Sequence, residues 1–210
     1  MKNLNEIFAH PTSLFTLLAI LLLIGAAIKV RKVKLSTQMI TQIGIALALA
    51  TVLKIFRIYH LPQGGSITIG SMVPILLIAL FYGAEVGYLT GFLYGMITLI
   101  MDPYILHPVQ VLFDYPLPFM ALGIIGYFRN NKVLGAIVAI FGRFLCHFIS
   151  GIVFFASYAG DMNPWLYSLM VNGVFIAIEG LICVIIIGLL PVDRLYSIVT
   201  KGRRPLRGDE

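Results

Sequence analysis

His147, Gly151 and Phe155 recur at intervals of four residues in HFISGIVFF, and on a helix that spacing places all three on one face. The glycine leaves room between a ring that can hydrogen-bond and a ring that can stack. A second stretch, YILHPVQVLFDY, runs from Tyr104 to Tyr115 and carries a carboxylate, Asp114, at the threshold of an apolar run. A carboxylate entering hydrocarbon is costly and by default marks a site. A third stretch, YSLMVN, contributes Tyr167 and Asn172. Together these residues offer one anion, several aromatic faces and several neutral hydrogen-bonding groups. Cation–π contact and charge pairing then suit a flat organic cation. Each residue alone has a plainer reading, since a lone membrane tyrosine is usually an interfacial anchor. The pattern gains its meaning from shared depth on a shared side.

The elements that position these groups follow from composition. The 210 residues are 60% apolar and 11% charged, against about 45–50% apolar in soluble domains. Mean hydropathy is +0.97. An all-α integral membrane protein is expected, with room for six or seven spans at about 20 residues each and for no soluble domain. Cys146 and Cys183 fall inside apolar runs, which predicts neither a disulfide framework nor a metal site. There is no GxxxxGK[ST] phosphate loop, which excludes ATP hydrolysis by that route.

Apolar runs predict spans over 14–28, 37–59, 72–81, 86–100, 114–129, 132–157 and 165–190. Asp114 is thus expected to open span five, where it could instead serve as a helix cap. No strand-like alternation competes with helix. Span one is followed by Lys29, Arg31, Lys32 and Lys34, the reverse of a cleaved signal peptide, and reads as a signal anchor. Gly44 and Ala48 in span two form a small-xxx-small face, suited to internal packing or to a docking helix. Pro62–Gly65 reads as an outer loop. If the Lys29–Lys34 cluster is cytoplasmic, then Arg129, Lys132, Arg194, Lys201, Arg203, Arg204 and Arg207 are too, eleven of fifteen Lys and Arg. That arrangement puts the N-terminus outside, the C-terminus inside and the pocket toward the outside. Arg143 and Glu179 lie far from any loop, at matching depth on antiparallel spans, and are predicted to pair.

The segments PQGGSI, YILHPVQVLFDYP, HFISGIVFF with the SYAG after it, and WLYSLMVNG closely resemble the thiamine-specific S component of energy-coupling factor transporters, over about 37–190. The resemblance implies a six-helix substrate-binding core over 37–199, an extra N-terminal transmembrane helix and basic loop over 1–36, and a basic cytoplasmic tail over 200–210. It implies that Tyr104, Asp114, Tyr115, His147, Gly151, Tyr167 and Asn172 form a thiamine pocket, with Phe155 keeping a stacking face. Gly65 and Phe155 stand where relatives can carry tryptophan, and Asp114 where a glutamate can stand. Gly44 and Ala48 match the motif that docks on the shared T component. The implied function is thiamine capture at a bacterial cell membrane by a multi-pass chain that is not an enzyme and holds no cofactor. The T component and two ATPase subunits would supply transport, and no nucleic acid is involved. The rival readings are an S component for another vitamin or cationic heterocycle, and an autonomous secondary carrier, which should show repeated halves. A third is an intramembrane hydrolase using His147 with Ser150 or Asp114, which lacks a GxSxG turn or HExxH pair.

Overall fold

Apolar segments with no water around them must satisfy their backbone groups internally, so they fold as helices. A computed structural model describes residues 11–31, 33–60 and 65–199. Lys32, the loop residues Pro62–Gly64 and the expected tail at 200–210 lie outside the described residues. Among the described residues, six segments are long and apolar enough to cross a membrane. They are α1 (Pro11–Val30), α2 (Thr37–Ile55), α4 (Ala84–Met101), the broken segment Pro108–Tyr127, α7 (Lys132–Phe154) and α8 (Pro164–Leu189). Between α2 and α4 lies α3 (Val73–Tyr82), a helix of 10 residues. At about 1.5 Å per residue it rises only about 15 Å, half of a hydrocarbon core.

The missing half of that crossing is extended chain. Span two was expected to reach residue 59, but α2 ends at Ile55 and the chain turns into β1 (Arg57–His60), paired antiparallel with β2 (Ser66–Thr68). Strands of four and three residues are too short to leave a readable alternation. From β2 the chain passes inward: Ser66, Thr68 and Ser71 are buried, and Thr68 and Ser71 bond Glu179 in the body of α8. Non-helical backbone is tolerable at membrane depth when protein encloses it in this way. Gly70 (φ 96°) and Gly83 (φ 97°) make the turns into and out of α3 in a region that disfavours other residues.

Span five differs most from expectation. It begins at Pro108, so Asp114 is the last residue of α5 (Pro108–Asp114) and does not open the span. Asp114 is therefore no N-cap. His107 caps α5, its Nδ1 accepting from Val109 N at 3.1 Å. Tyr115 (φ −121°, ψ −77°) breaks the helix, α6 (Pro116–Ala121) restarts it, and Leu122–Tyr127 tightens into a 3₁₀ turn. Pro116 and Pro118 cannot donate, so two ladder bonds are missing at the break. This interrupted backbone presses against α4 along Gly87, Gly91 and Gly95. A Cβ on Gly91 would lie 2.5 Å from the Phe119 carbonyl carbon, and one on Gly95 would lie 2.8 Å from Pro116 Cα.

The main core joins α3, α4, the 3₁₀ turn, α7 and α8 through Leu76, Tyr94, Leu122, Ile140, Phe175 and Ile187. After Pro191, α9 (Val192–Val199) folds back and brings the Tyr196 ring, tilted by 60°, to 5.9 Å from that of Phe81. Gln38 and Gln42 of α2 donate to the Val199 carbonyl at 2.6 and 2.8 Å.

Candidate ligand-binding site

The break in span five and the ends of α7 and α8 bring the predicted residues to one cavity. Asp114 lies six residues into span five, His147 seven from the end of α7, and Asn172 eight into α8. By helical rise these are matching depths of about 9–12 Å. Tyr104, Asp114, Tyr115, His147, Gly151, Phe155, Tyr167 and Asn172 all line the cavity. Phe155 is the C-cap residue of α7 and does not lie within the helix, yet it keeps its place in the lining.

Asp114 has two facing side chains. Gln110, one turn earlier on α5, donates from Nε2 to Oδ2 at 2.5 Å, and His147 Nδ1 stands 3.3 Å from Oδ1. Gln110 also donates to the Tyr104 carbonyl (3.1 Å) and accepts from Leu106 N (3.0 Å), so it fixes the link before α5. The Tyr115 hydroxyl accepts from Tyr104 N (2.7 Å) and donates to the Asp102 carbonyl (2.9 Å). The His147 ring meets Phe175 edge-on at 5.8 Å, and its buried Nε2 has no hydrogen-bond partner among the described residues. Buried polar atoms rarely go unpaired in folded proteins, and a ligand could supply that bond.

The aromatic wall is Tyr104 stacked on Phe155 (5.8 Å, 20°), with Tyr158 tilted against Phe155 and its hydroxyl 2.7 Å from that of Tyr104. That hydrogen bond, aided by desolvation, pushes the Tyr104 phenol up to about 12. On the opposite wall Asn172 Nδ2 donates to Ser168 Oγ (3.1 Å), which donates to the Phe148 carbonyl (2.8 Å). A Cβ on Gly151 would collide with Ser168 and stand 2.6 Å from Asn172 Nδ2. At the wall where the resemblance places an aromatic ring, Gly65 (φ 89°) lines the cavity with backbone.

The floor is the predicted ion pair. Arg143 Nη1 lies 3.2 Å from Glu179 Oε2, with side-chain exposures of 6% and 1%. Thr68 Oγ1 (2.6 Å) and Ser71 Oγ (3.2 Å) donate to Glu179 Oε1, and the guanidinium sits 4.7 Å over the Phe119 ring. Removing one member of such a pair leaves a buried charge and costs about 3–5 kcal/mol. In a double-mutant cycle read by unfolding, Arg143→Met and Glu179→Gln are expected to be non-additive by about 1–3 kcal/mol. Additive losses would mean the pair carries no coupling.

Sequence reading missed Gln110, although a Gln four residues before Asp114 shares its helix face and was a usable signal. It also missed Lys54, Tyr94, Thr98 and Asp102, which reach the cavity from distant elements and carry no local mark. The charged lining is Lys54, Arg143, Asp102, Asp114 and Glu179, and Arg57 just outside it brings the charges to three of each sign. Glu179 has Arg143, and Asp102 has Arg57 at 2.9 Å. Asp114 is left with an amide and an imidazole and no Lys or Arg at salt-bridge distance among the described residues, so a cationic group on a ligand can pair with it. The His147–Ser150 pairing of the hydrolase reading is not formed: His147 Nδ1 faces Asp114, and Ser150 Oγ has no hydrogen-bond partner among the described residues. Gly44 and Ala48 are exposed on α2, and among the described residues nothing lies within 4 Å of a Cβ on Gly44, so their packing does not use this face.

Fold and site define a multi-pass helical membrane protein with an aromatic pocket in which one carboxylate, Asp114, has no Lys or Arg partner among the described residues. Residues 40–199 match the family described as thiamine transporter protein (Thia_YuaJ). The chain is 36% identical over 177 residues to the thiamine transporter ThiT of Bacillus subtilis (strain 168), covering 74% of this chain and 92% of that one. It is 28% identical over 140 residues to the thiamine transporter ThiT of Lacticaseibacillus paracasei, covering 57% and 70%. The chain therefore belongs to the thiamine transporter protein family, whose members are transporters and not enzymes. The solved structure of ThiT from Listeria monocytogenes shares the fold, with a TM-score of 0.63 at 23% identity over 75% of this chain and 96% of that one. Helix α1 precedes the family-matched residues.

Proposed function

We propose that this chain is the thiamine-capturing S component of an ATP-driven energy-coupling factor transporter, with its pocket facing outward. The observation that carries the reading is Asp114, held among aromatic side chains with only neutral or titratable neighbours, in a member of this family. Asp114 pairs with the cationic or aminopyrimidine part of thiamine, and Tyr104, Phe155 and His147 supply ring faces. Tyr115, Tyr167 and Asn172 hydrogen-bond the ligand, while Gly151 keeps the space open. The basic residues Lys29, Arg31, Arg129, Lys132 and Arg194 favour a cytoplasmic C-terminus and an outer N-terminus in a bacterial cell membrane. Having no phosphate loop, the chain depends on two ATPase subunits and a transmembrane T component. The open Gly44–Ala48 face is the docking surface for that component.

Uptake of labelled thiamine tests the division of labour. The chain alone should bind thiamine without accumulating it, and accumulation should require the T component and ATPases. Leucine at both Gly44 and Ala48 should leave thiamine affinity within about threefold of wild type, under about 0.7 kcal/mol, while lowering uptake by the assembled transporter at least about tenfold. Accumulation by the chain alone would identify an autonomous carrier. Equal loss of binding and uptake in the double variant would remove the docking role.

A further inference from the structure

Helix α1 is apolar on every side, yet it is not merely an anchor. One narrow stripe is covered: Ala19 is fully buried, while Leu17, Leu18, Ile20, Leu21 and Leu22 around it are 40–56% exposed. That stripe meets α5 and α6. Phe15, Ala19 and Leu23 cluster with Val109, Phe113 and Leu117, and the Phe15 ring meets Phe113 edge-on at 6.3 Å and 88°. At the other end Lys29 Nζ donates to the Tyr127 hydroxyl at 2.6 Å and lies 5.0 Å over that ring. Both pairs are separated by 98 residues, so α1 runs parallel to the broken segment and in register with it over about 21 Å.

The broken segment lacks the continuous backbone ladder that stiffens the other long spans. Its pieces have 7, 6 and 6 residues, and its two prolines interrupt the backbone ladder where lipid can offer no hydrogen bonds. The contact also reaches the ligand site. On α5, Val109 and Phe113 face α1, and the next residue after each is Gln110 and Asp114, about 100° round the helix. A shift or roll of α5 against α1 therefore moves the Gln110–Asp114 pair relative to His147.

We propose that α1 is a positioning element for the ligand site: Phe15, Ala19 and Lys29 splint the broken segment and hold Gln110 and Asp114 at binding distance. This rests on the thiamine reading above. The test uses the full chain carrying Phe15→Ala with Ala19→Leu, in the wild-type and Asp114→Asn backgrounds, read by thiamine titration and thermal unfolding. Affinity is expected to fall about tenfold in the wild-type background and less than about threefold when Asp114 is already Asn, because the splint acts through that carboxylate. The unfolding shift should be the same in both. Lys29→Met, an exposed change at the far end of the splint, should weaken binding in the same direction, and it serves if the double variant does not fold. Lipid-facing Leu21→Ala should bind as wild type does. Unchanged affinity in the α1 variants, or the same fold-loss in both backgrounds, overturns the splint. A wild-type chain that does not bind thiamine overturns the ligand reading, and the splint falls with it.

Discussion

Asp114→Asn is expected to weaken thiamine binding by about 30-fold to several thousand-fold, the equivalent of about 2–5 kcal/mol for truncating one member of a desolvated charge pair. Asparagine preserves size and can still accept from Gln110, so the change isolates the charge. No Lys or Arg stands at salt-bridge distance from Asp114 among the described residues, so on the proposed reading the ligand would be the cation that completes the pair. A thiamine analogue with a neutral ring in place of the thiazolium should therefore lose far less affinity on the same substitution. A helix-capping role cannot stand in for this one, because Asp114 ends α5 and His107 caps its start. Binding by Asp114→Asn within about threefold of wild type, under about 0.7 kcal/mol, would remove cation recognition from this residue.

Gly151→Leu should have an effect of similar size for a steric reason. Any Cβ at this position meets Ser168 and comes within 2.6 Å of Asn172 Nδ2, so a branched side chain fills the cavity and pushes Asn172 away. Overpacking costs about 1–3 kcal/mol and a lost ligand hydrogen bond about 0.5–1.5, so affinity should drop by between about tenfold and a thousandfold. Gly173→Ala, two turns nearer the middle of the membrane, is the control, since its Cβ would make only ordinary contacts at 3.6 and 3.7 Å. Circular dichroism should show wild-type helicity for both. Wild-type affinity in Gly151→Leu would mean that the ligand does not approach this wall.

Much of this site was legible because membranes make polar residues conspicuous. Asp114, His147, Arg143 and Glu179 stand out against apolar surroundings, and matching depths on antiparallel spans were enough to pair Arg143 with Glu179. Hydropathy is blind to where helices break. The run from Pro108 to Tyr127 is apolar apart from Gln110 and Asp114, so hydropathy hides its true start and the interruption at Tyr115, and Asp114 was placed at the wrong end of a helix. The polar stretch Ser66–Ser71 reads as surface loop, yet it enters the membrane because Glu179 offers its hydroxyl groups a partner 108–111 residues away. Lys54 carried no signal, since a lysine near a helix end normally marks an interface. The covered stripe of α1 was invisible for a different reason: with apolar residues on all sides, periodicity cannot say which face is packed.

Isothermal titration of thiamine into the purified full-length chain tests the central claim most directly. Saturable binding at one thiamine per chain is expected, with a Kd below about 1 µM, or about −8 kcal/mol. The neutral-ring analogue should bind at least about 30-fold more weakly, the loss of the Asp114 charge contact. The absence of saturable heat up to about 1 mM thiamine, or equal affinity for the neutral analogue, would contradict a thiamine-capturing pocket built around Asp114.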